Sequence, residues 1–121
     1  MVRVQDREQK PPMSGGFFLY MAFYIYILYS PSFDKYYVGF SEDPQRRLCE
    51  HNNPIHPKFT SKYLPWELKT YFFVSENRGD AMKTERYIKN MKSKIYTKNL
   101  ITDTVEQSRI CGLLVIRKLD C

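Results

Sequence analysis

Five residues in the middle of the chain carry the side chains needed to hydrolyse a phosphodiester with one divalent metal ion. They are two tyrosines, an arginine, a histidine and a glutamate: Tyr26, Tyr37, Arg47, His51 and Glu85. A carboxylate can hold the metal, a guanidinium can offset charge on the phosphoryl oxygens, and a phenol or imidazole can exchange protons with water. Together these residue types predict a phosphodiesterase site.

Each of the five residues also has an ordinary structural explanation. An arginine commonly pairs with an acid, a lone helix histidine is commonly a hydrogen-bonded polar residue, and a tyrosine commonly packs on a sheet. Glu85, taken alone, is better explained by an ion pair with Arg47 or a nearby lysine than by a metal. The sequence contains no glycine-rich phosphate loop, HExxH motif or GxSxG motif, so kinase, zinc-protease and serine-hydrolase chemistry is unsupported.

Two strands must position the tyrosines. Alternating side chains predict strands over residues 23–29 and 34–40, joined by a loop at residues 30–33. A loop of that length places Tyr26 directly opposite Tyr37, where paired Cβ atoms lie roughly 5 Å apart. The two phenols are therefore expected to converge on one spot.

A helix and a third strand are predicted to follow. Asp43 can act as the N-cap of the helix, and Pro44 can occupy its first position, where the missing N–H costs nothing. This helix places Arg47 and the histidine on one side. The third strand is predicted over residues 66–74, with alternate residues facing opposite sides.

The glutamate lies in a second predicted helix, which Asn77 caps and which runs to about Lys92. Its apolar stripe comprises three residues at helical spacing: Ala81, Ile88 and Met91. Glu85 falls on the same stripe, and a carboxylate facing inward needs a compensating partner, which a metal ion would supply. A shorter helix is expected over residues 98–107.

Positive charge is concentrated in residues 83–98. The chain carries a net charge of +6, and this segment holds six basic residues against one acid. A basic strip is the electrostatic footprint of a nucleic-acid binder, although a solvated helix face explains the charge equally well. The candidate phosphate-binding residues in this segment are lysines: Lys83, Lys89, Lys92 and Lys98.

Length and composition predict one globular domain in the cytoplasm. The 121 residues suffice for a single core, and three widely spaced cysteines without a CxxC pair favour reduced thiols. The apolar run at residues 17–29 is shorter than the ~20 residues a membrane span requires. We expect a flexible arm at residues 1–21, the domain at 22–108, and an apolar tail without a clear partner at 109–121.

Taken together, the motifs resemble the GIY-YIG nuclease family, and in particular its small stand-alone bacterial members. The likeness extends over about residues 22–108. It is carried by six segments in the family's order: Tyr24 to Leu28, Tyr37 to Gly39, Asp43 to Asn52, Lys58 to Thr60, Pro65 to Leu68, and Glu85 to Lys89. One departure is Tyr24, which stands where the first motif of the family has glycine.

The resemblance implies an α+β fold with a central three-stranded antiparallel sheet flanked by helices. It also implies catalytic roles for the two tyrosines, the arginine, the histidine and the glutamate named above, with Glu85 binding Mg²⁺ or Mn²⁺. Lys98 is similar to a lysine usual in the small members, and Asn99 is a weak counterpart of an asparagine near the end of the family's domain; both are candidate nucleic-acid-binding residues.

The expected function is a metal-dependent endonuclease with little sequence specificity, acting on DNA in repair or processing. DNA is favoured over RNA as the partner, and neither a membrane nor an obligate protein partner is expected. Three alternatives stay open: a catalytically weak or inactive nucleic-acid-binding module of the same fold, an RNA-directed protein, and a protein-binding domain with an incidental basic helix. The sequence leaves open which tyrosine is the general base.

Overall fold

The sheet has three antiparallel strands, with the first strand in the middle. The computed structural model describes residues 21–55 and 58–119, with side chains described as far as Gly112. The strands are β1 (Phe23–Ser30), β2 (Lys35–Ser41) and β3 (Glu67–Ser75), in the order β2-β1-β3. The predicted α+β fold with a three-stranded antiparallel sheet flanked by helices is confirmed. Apart from Met21, the predicted arm at 1–21 lies outside the described residues.

Helices cover both faces of this sheet. They are α1 (Pro44–Asn52), a short 3₁₀ helix (Phe59–Tyr63), α2 (Arg78–Asn90), α3 (Lys94–Leu100) and α4 (Thr104–Leu119). The two predicted N-caps are present: a carboxylate oxygen of Asp43 accepts from the backbone N–H of Arg46, and the Asn77 amide oxygen accepts from that of Gly79. No helix in the described part of the chain is long and apolar enough to cross a membrane.

The predicted helix over residues 98–107 is wrong. Two helices meet there, because Asp103 interrupts the segment by accepting a hydrogen bond from the backbone N–H of Glu106 and so capping α4. The predicted domain boundary after residue 108 falls inside α4. Ile110, which the sequence assigned to the tail, is 1% exposed and packs in the core.

The core has one cluster on each face of the sheet. On one face, Ile25, Ile27 and Val38 pack against Ile88 and Ile110 from α2 and α4. On the other face, buried aromatic and aliphatic side chains pack beneath α1 and the 3₁₀ helix: Tyr26, Leu28 and Trp66, with Leu48 and Tyr63 beside them. The first cluster fixes α2 against the sheet, and the second fixes α1.

The predicted pairing of the first two strands is off by two residues. Tyr26 lies opposite Gly39, and Tyr37 lies opposite Leu28. The loop comprises residues 31–34 and contains Asp34 in a left-handed conformation with φ of 54°. Because side chains alternate with a period of two, a shift of two residues preserves their faces. The tyrosine rings therefore still meet, with centroids 6.3 Å apart.

A bulge in β3 breaks the strict alternation predicted over residues 66–74. Lys69 is an extra residue between two pairs of the β1–β3 ladder. As a result Leu68 packs with Tyr71 in the cluster beneath α1, whereas Val74 packs on the opposite face.

Candidate active site

Tyr26 lies directly over Gly39. A Cβ atom at Gly39 would lie 2.5 Å from the Tyr26 hydroxyl oxygen and 2.6 Å from its Cζ atom, closer than real Cβ contacts. The glycine of the Tyr37-Val38-Gly39 motif is therefore required by the approach of a buried phenol. This contact fixes the position of the Tyr26 ring against the backbone of β2.

The Tyr26 hydroxyl is part of a buried hydrogen-bonded chain. It lies 3.1 Å from Nε2 of His51, and Nδ1 of the same imidazole lies 3.1 Å from the Thr60 hydroxyl. Burial, and then the charge of Arg47, lowers the pKa of His51 to about 4, so the ring is neutral at pH 7. A neutral imidazole donates from one nitrogen and accepts at the other. The chain can therefore run from the phenol to Nε2 and from Nδ1–H to Thr60.

The Tyr26 phenol holds its proton tightly in this setting. Burial raises the pKa of Tyr26 to about 12, and the hydrogen bond from Arg47 only partly opposes that rise. Arg47 is itself held by Glu50, whose carboxylate oxygen lies 2.5 Å from a guanidinium nitrogen. The guanidinium is thus anchored on its own helix while it contacts the phenol.

Glu85 lies at the rim of the site. Its side chain is 21% exposed, and its carboxylate forms an ion pair at 3.3 Å with Lys89, one turn further along α2. The prediction that Glu85 shares the inward stripe is corrected, because the buried residues of that helix are Asp80, Ala81, Thr84 and Ile88, and Glu85 lies at the edge of this buried face. Met91, also assigned to the stripe, is 38% exposed.

A polar pocket of about 380 Å³ connects these side chains. It brings together four of the five candidate catalytic residues, Tyr26, Tyr37, Arg47 and Glu85, while His51 lies behind the phenol of Tyr26. Sequence reasoning missed five further polar residues at the site: Ser41, Glu42, Arg46, Arg78 and Thr60. Thr60 and Arg46 stand within segments that carried the family resemblance, so their position in those segments was the available signal.

The pocket contains two carboxylates among several cations. Glu42 is 3.6 Å from Arg46, and Glu85 is the second acid. Within residues 21–55 and 58–119, no group of three His, Cys, Asp or Glu side chains could hold a metal by itself. Mg²⁺ commonly binds through one or two carboxylates, with substrate phosphate and water completing its coordination. The donor set fits a cation of that kind, shared with a phosphate.

The candidate nucleic-acid-binding residues do not form a single strip. Lys89 lies beside the pocket with its ammonium 5.1 Å from the Tyr37 ring centroid, and Lys92 lines an adjoining groove. Lys98 acts electrostatically on Asp34 at the β1–β2 loop.

Lys83 is two residues from Glu85 and therefore lies on the opposite side of α2. Asn99 is exposed and lines neither the pocket nor the groove.

Comparisons with known proteins place these residues in a family. A model described as the GIY-YIG catalytic domain matches residues 22–99, a segment that includes every candidate catalytic residue. The chain is 34% identical over 68 residues to the UPF0213 protein CPE1444 of Clostridium perfringens (strain 13 / Type A), a match covering 56% of this chain and 71% of that relative. No solved structure matches the chain at a significant level.

Proposed function

This chain belongs to the GIY-YIG family, and on that premise we propose that it is a metal-dependent endonuclease that hydrolyses phosphodiester bonds of DNA. The convergence of Tyr26, Tyr37, Arg47 and Glu85 on one polar pocket is the observation that carries the proposal. We further propose a cytoplasmic role in DNA processing or repair. The free thiols of Cys49 and Cys111 are compatible with that compartment.

In the proposed mechanism, Arg47 contacts the non-bridging oxygens of the scissile phosphate and offsets the charge that develops there. Its anchor on Glu50 limits the rotation of the guanidinium, so little reorganisation is needed when substrate arrives. Arg46 and Arg78, which line the same pocket, add positive charge around the phosphate.

We assign the general base to Tyr26 acting with His51. A phenol with a pKa of about 12 cannot work as a preformed phenolate at pH 7. Instead, Tyr26 accepts a proton from the attacking water while its own proton passes to Nε2 of His51 over 3.1 Å. The Arg47 charge is one cause of the low His51 pKa, so a phosphate that neutralises Arg47 makes the imidazole a better acceptor.

Tyr37 has a different role in this proposal. Its ring packs 4.9 Å from the His51 ring and carries the Lys89 ammonium on its face. It therefore forms a wall of the pocket that holds the imidazole and the lysine in place. In this proposal Tyr26, and not Tyr37, is the general base.

Glu85, with Glu42 nearby, would hold the divalent metal. Mg²⁺ or Mn²⁺ bound there would supply a Lewis acid that polarises the phosphate and stabilises the leaving oxygen. In the structure Lys89 pairs with Glu85, so a divalent cation held by this carboxylate would have to displace the ammonium. Lys89, once displaced from Glu85, would be able to contact phosphate.

The test is cleavage of a labelled DNA panel (single-stranded, duplex, nicked and branched) with Mg²⁺, Mn²⁺ or EDTA. Glu85→Gln should lower the rate by about 100-fold or more, since the metal contributes several kcal/mol to the transition state. Glu76→Gln is the matched control, because Glu76 is an exposed glutamate outside the pocket. Metal-dependent cleavage that survives Glu85→Gln would refute the assignment.

A second candidate function is a nucleic-acid-binding module of the same fold that lacks chemistry, with RNA as one possible target. The Glu85–Lys89 ion pair favours this alternative, because it satisfies the carboxylate without a metal. Such a module would bind polynucleotides with a steep salt dependence and cut none of them.

A further inference from the structure

A groove of about 590 Å³ runs along the free edge of β2 and adjoins the polar pocket. Tyr37 lines both cavities, so a strand whose phosphate occupies the pocket can continue into the groove without leaving the surface. Of its lining residues, the proposed hydrolysis uses only Tyr37 and Lys89. Its walls come from β2 with the preceding loop, the 3₁₀ helix, and the end of α2 together with the start of α3.

An aromatic ledge formed by Phe33, Phe59 and Tyr63 borders the groove. Phe59 lines the groove and is 61% exposed, and Phe33 is 50% exposed. Both rings contact Tyr63, with centroid distances of 5.2 Å for Phe59 and 5.3 Å for Phe33. Exposed phenylalanines clustered in this way leave an apolar surface in water that a ligand could cover.

The ledge is supported from beneath by the core. The Tyr63 ring lies 6.3 Å from that of Trp66, and Trp66 lies 6.2 Å from Tyr37. Trp66 is buried and donates from its indole nitrogen to the Thr60 carbonyl at 2.9 Å. A continuous series of rings therefore joins the ledge to the pocket and limits the movement of Tyr63.

Positive charge surrounds the groove. Its lining includes four lysines: Lys35, Lys89, Lys92 and Lys94. The Lys35 ammonium lies 5.4 Å from the Tyr63 ring centroid, so a cation and an aromatic face adjoin on the ledge. Among the described lining residues Asp34 is the acid, and it pairs with Lys94.

We propose that the groove and ledge bind unpaired bases of a single strand, so that the substrate carries a single-stranded segment beside the cleaved bond. This inference rests on the proposed nuclease function. Exposed rings next to lysines match a nucleic-acid strand, because bases stack on the rings and phosphates pair with the lysines. In a duplex the faces of the bases are already stacked within the helix, so the ledge discriminates in favour of unpaired strands.

Binding is tested without metal, using the full chain carrying Glu85→Gln and a fluorescent single-stranded DNA oligonucleotide or its duplex. Phe59→Ala should raise the Kd for the single strand by at least about fivefold, which corresponds to the lower end of the free energy that one stacked base contributes. Duplex binding should change little. Phe59→Trp should restore single-strand binding, because it keeps an aromatic face.

Phe73→Ala is the matched control, because Phe73 is 52% exposed and lies on β3, outside the groove. Equal binding of single strand and duplex, or an equal loss in Phe59→Ala and Phe73→Ala, would overturn the inference. Because the binding assay uses no metal, its result is separable from catalysis. If the wild-type chain cleaves DNA but does not bind single strands in preference to duplex, only the proposed role of the ledge is refuted. If it prefers single strands but cleaves no DNA, only the proposed nuclease activity is refuted.

Discussion

Replacing Gly39 with alanine tests whether Tyr26 lies where the structure places it. The added Cβ would lie 2.5 Å from the phenolic oxygen, so the ring must move by most of an ångström to reach an ordinary contact. Tyr26 is fully buried and hydrogen-bonded to His51, and it cannot move that far without disturbing its neighbours. We therefore expect Gly39→Ala to lower the free energy of unfolding and to disturb the hydrogen bond between Tyr26 and His51.

Overpacking of this kind typically costs ~1–3 kcal/mol. For a domain of this size, a loss of about 2 kcal/mol lowers Tm by roughly 8–16 °C. Thermal unfolding followed by circular dichroism measures the shift. Gly112→Ala is the control, because its added Cβ would meet no described atom within 4 Å other than its chain neighbours and the backbone of its own helix. In the helix α4 that change should stabilise by about 0.5–1 kcal/mol, the opposite sign.

A double-mutant cycle identifies the clashing partner. Tyr26→Leu removes the outer ring atoms that the new Cβ would meet, so Gly39→Ala should cost almost nothing in that background. The coupling free energy should then equal most of the ~2 kcal/mol lost in the single variant. A Gly39→Ala protein with wild-type Tm, or an equal loss in both backgrounds, would refute the contact and the site geometry built on it.

Two further predictions concern burial. The low pKa of His51, about 4, means that the unfolded chain, with its histidine pKa near 6.5, binds the extra proton between these values. The free energy of unfolding should therefore fall as pH drops from about 6.5 towards 4, by at most about 1.4 kcal/mol per pH unit, and urea titrations of His51→Gln should lack this component. Ile110→Ala should cost about 2–5 kcal/mol in the same assay, because Ile110 is a core residue; a loss below about 0.5 kcal/mol would contradict the packing of α4.

Local signals in the sequence located most of the elements. Asp43 before Pro44, and Asn77 before its helix, are side chains that satisfy free N–H groups in the first turn, and both helices begin there. The alternation of aromatic and aliphatic residues around Tyr26 likewise fixed the two faces of β1. These features depend on neighbours within a few residues, so the sequence suffices to predict them.

Features that depend on distant partners were harder to predict. The register of β1 and β2 depends on whether the loop begins at Ser30 or one residue later. In the structure it begins after Ser30 and ends at Asp34, which has a left-handed conformation. Nothing local marks Lys69 as the extra residue of a bulge, since only the pairing with β1 defines it. Ile110 lacked a visible partner because its neighbours come from other parts of the chain.

The candidate site shows the same division. Residue types, read together with the family resemblance, named the five candidate catalytic side chains, and four of them line one pocket. The third member of the buried hydrogen-bonded chain, Thr60, went unassigned because only the fold brings its hydroxyl to His51. The basic segment was treated as one surface, yet helical geometry separates Lys83 from Lys89.

The position of Trp66 makes the site visible by optical spectroscopy. It is the sole tryptophan of the 121-residue chain, and it is held by its bond to the Thr60 carbonyl between Tyr63 and Tyr37. Indole emission, excited where tyrosine absorbs little, therefore arises from one place, midway between the ledge and the pocket. Movement of Tyr37, entry of a base onto the ledge, and unfolding each change the surroundings of that indole. The protein thus carries an intrinsic fluorophore, and the rate of ligand binding at the site can be measured from its emission without a label.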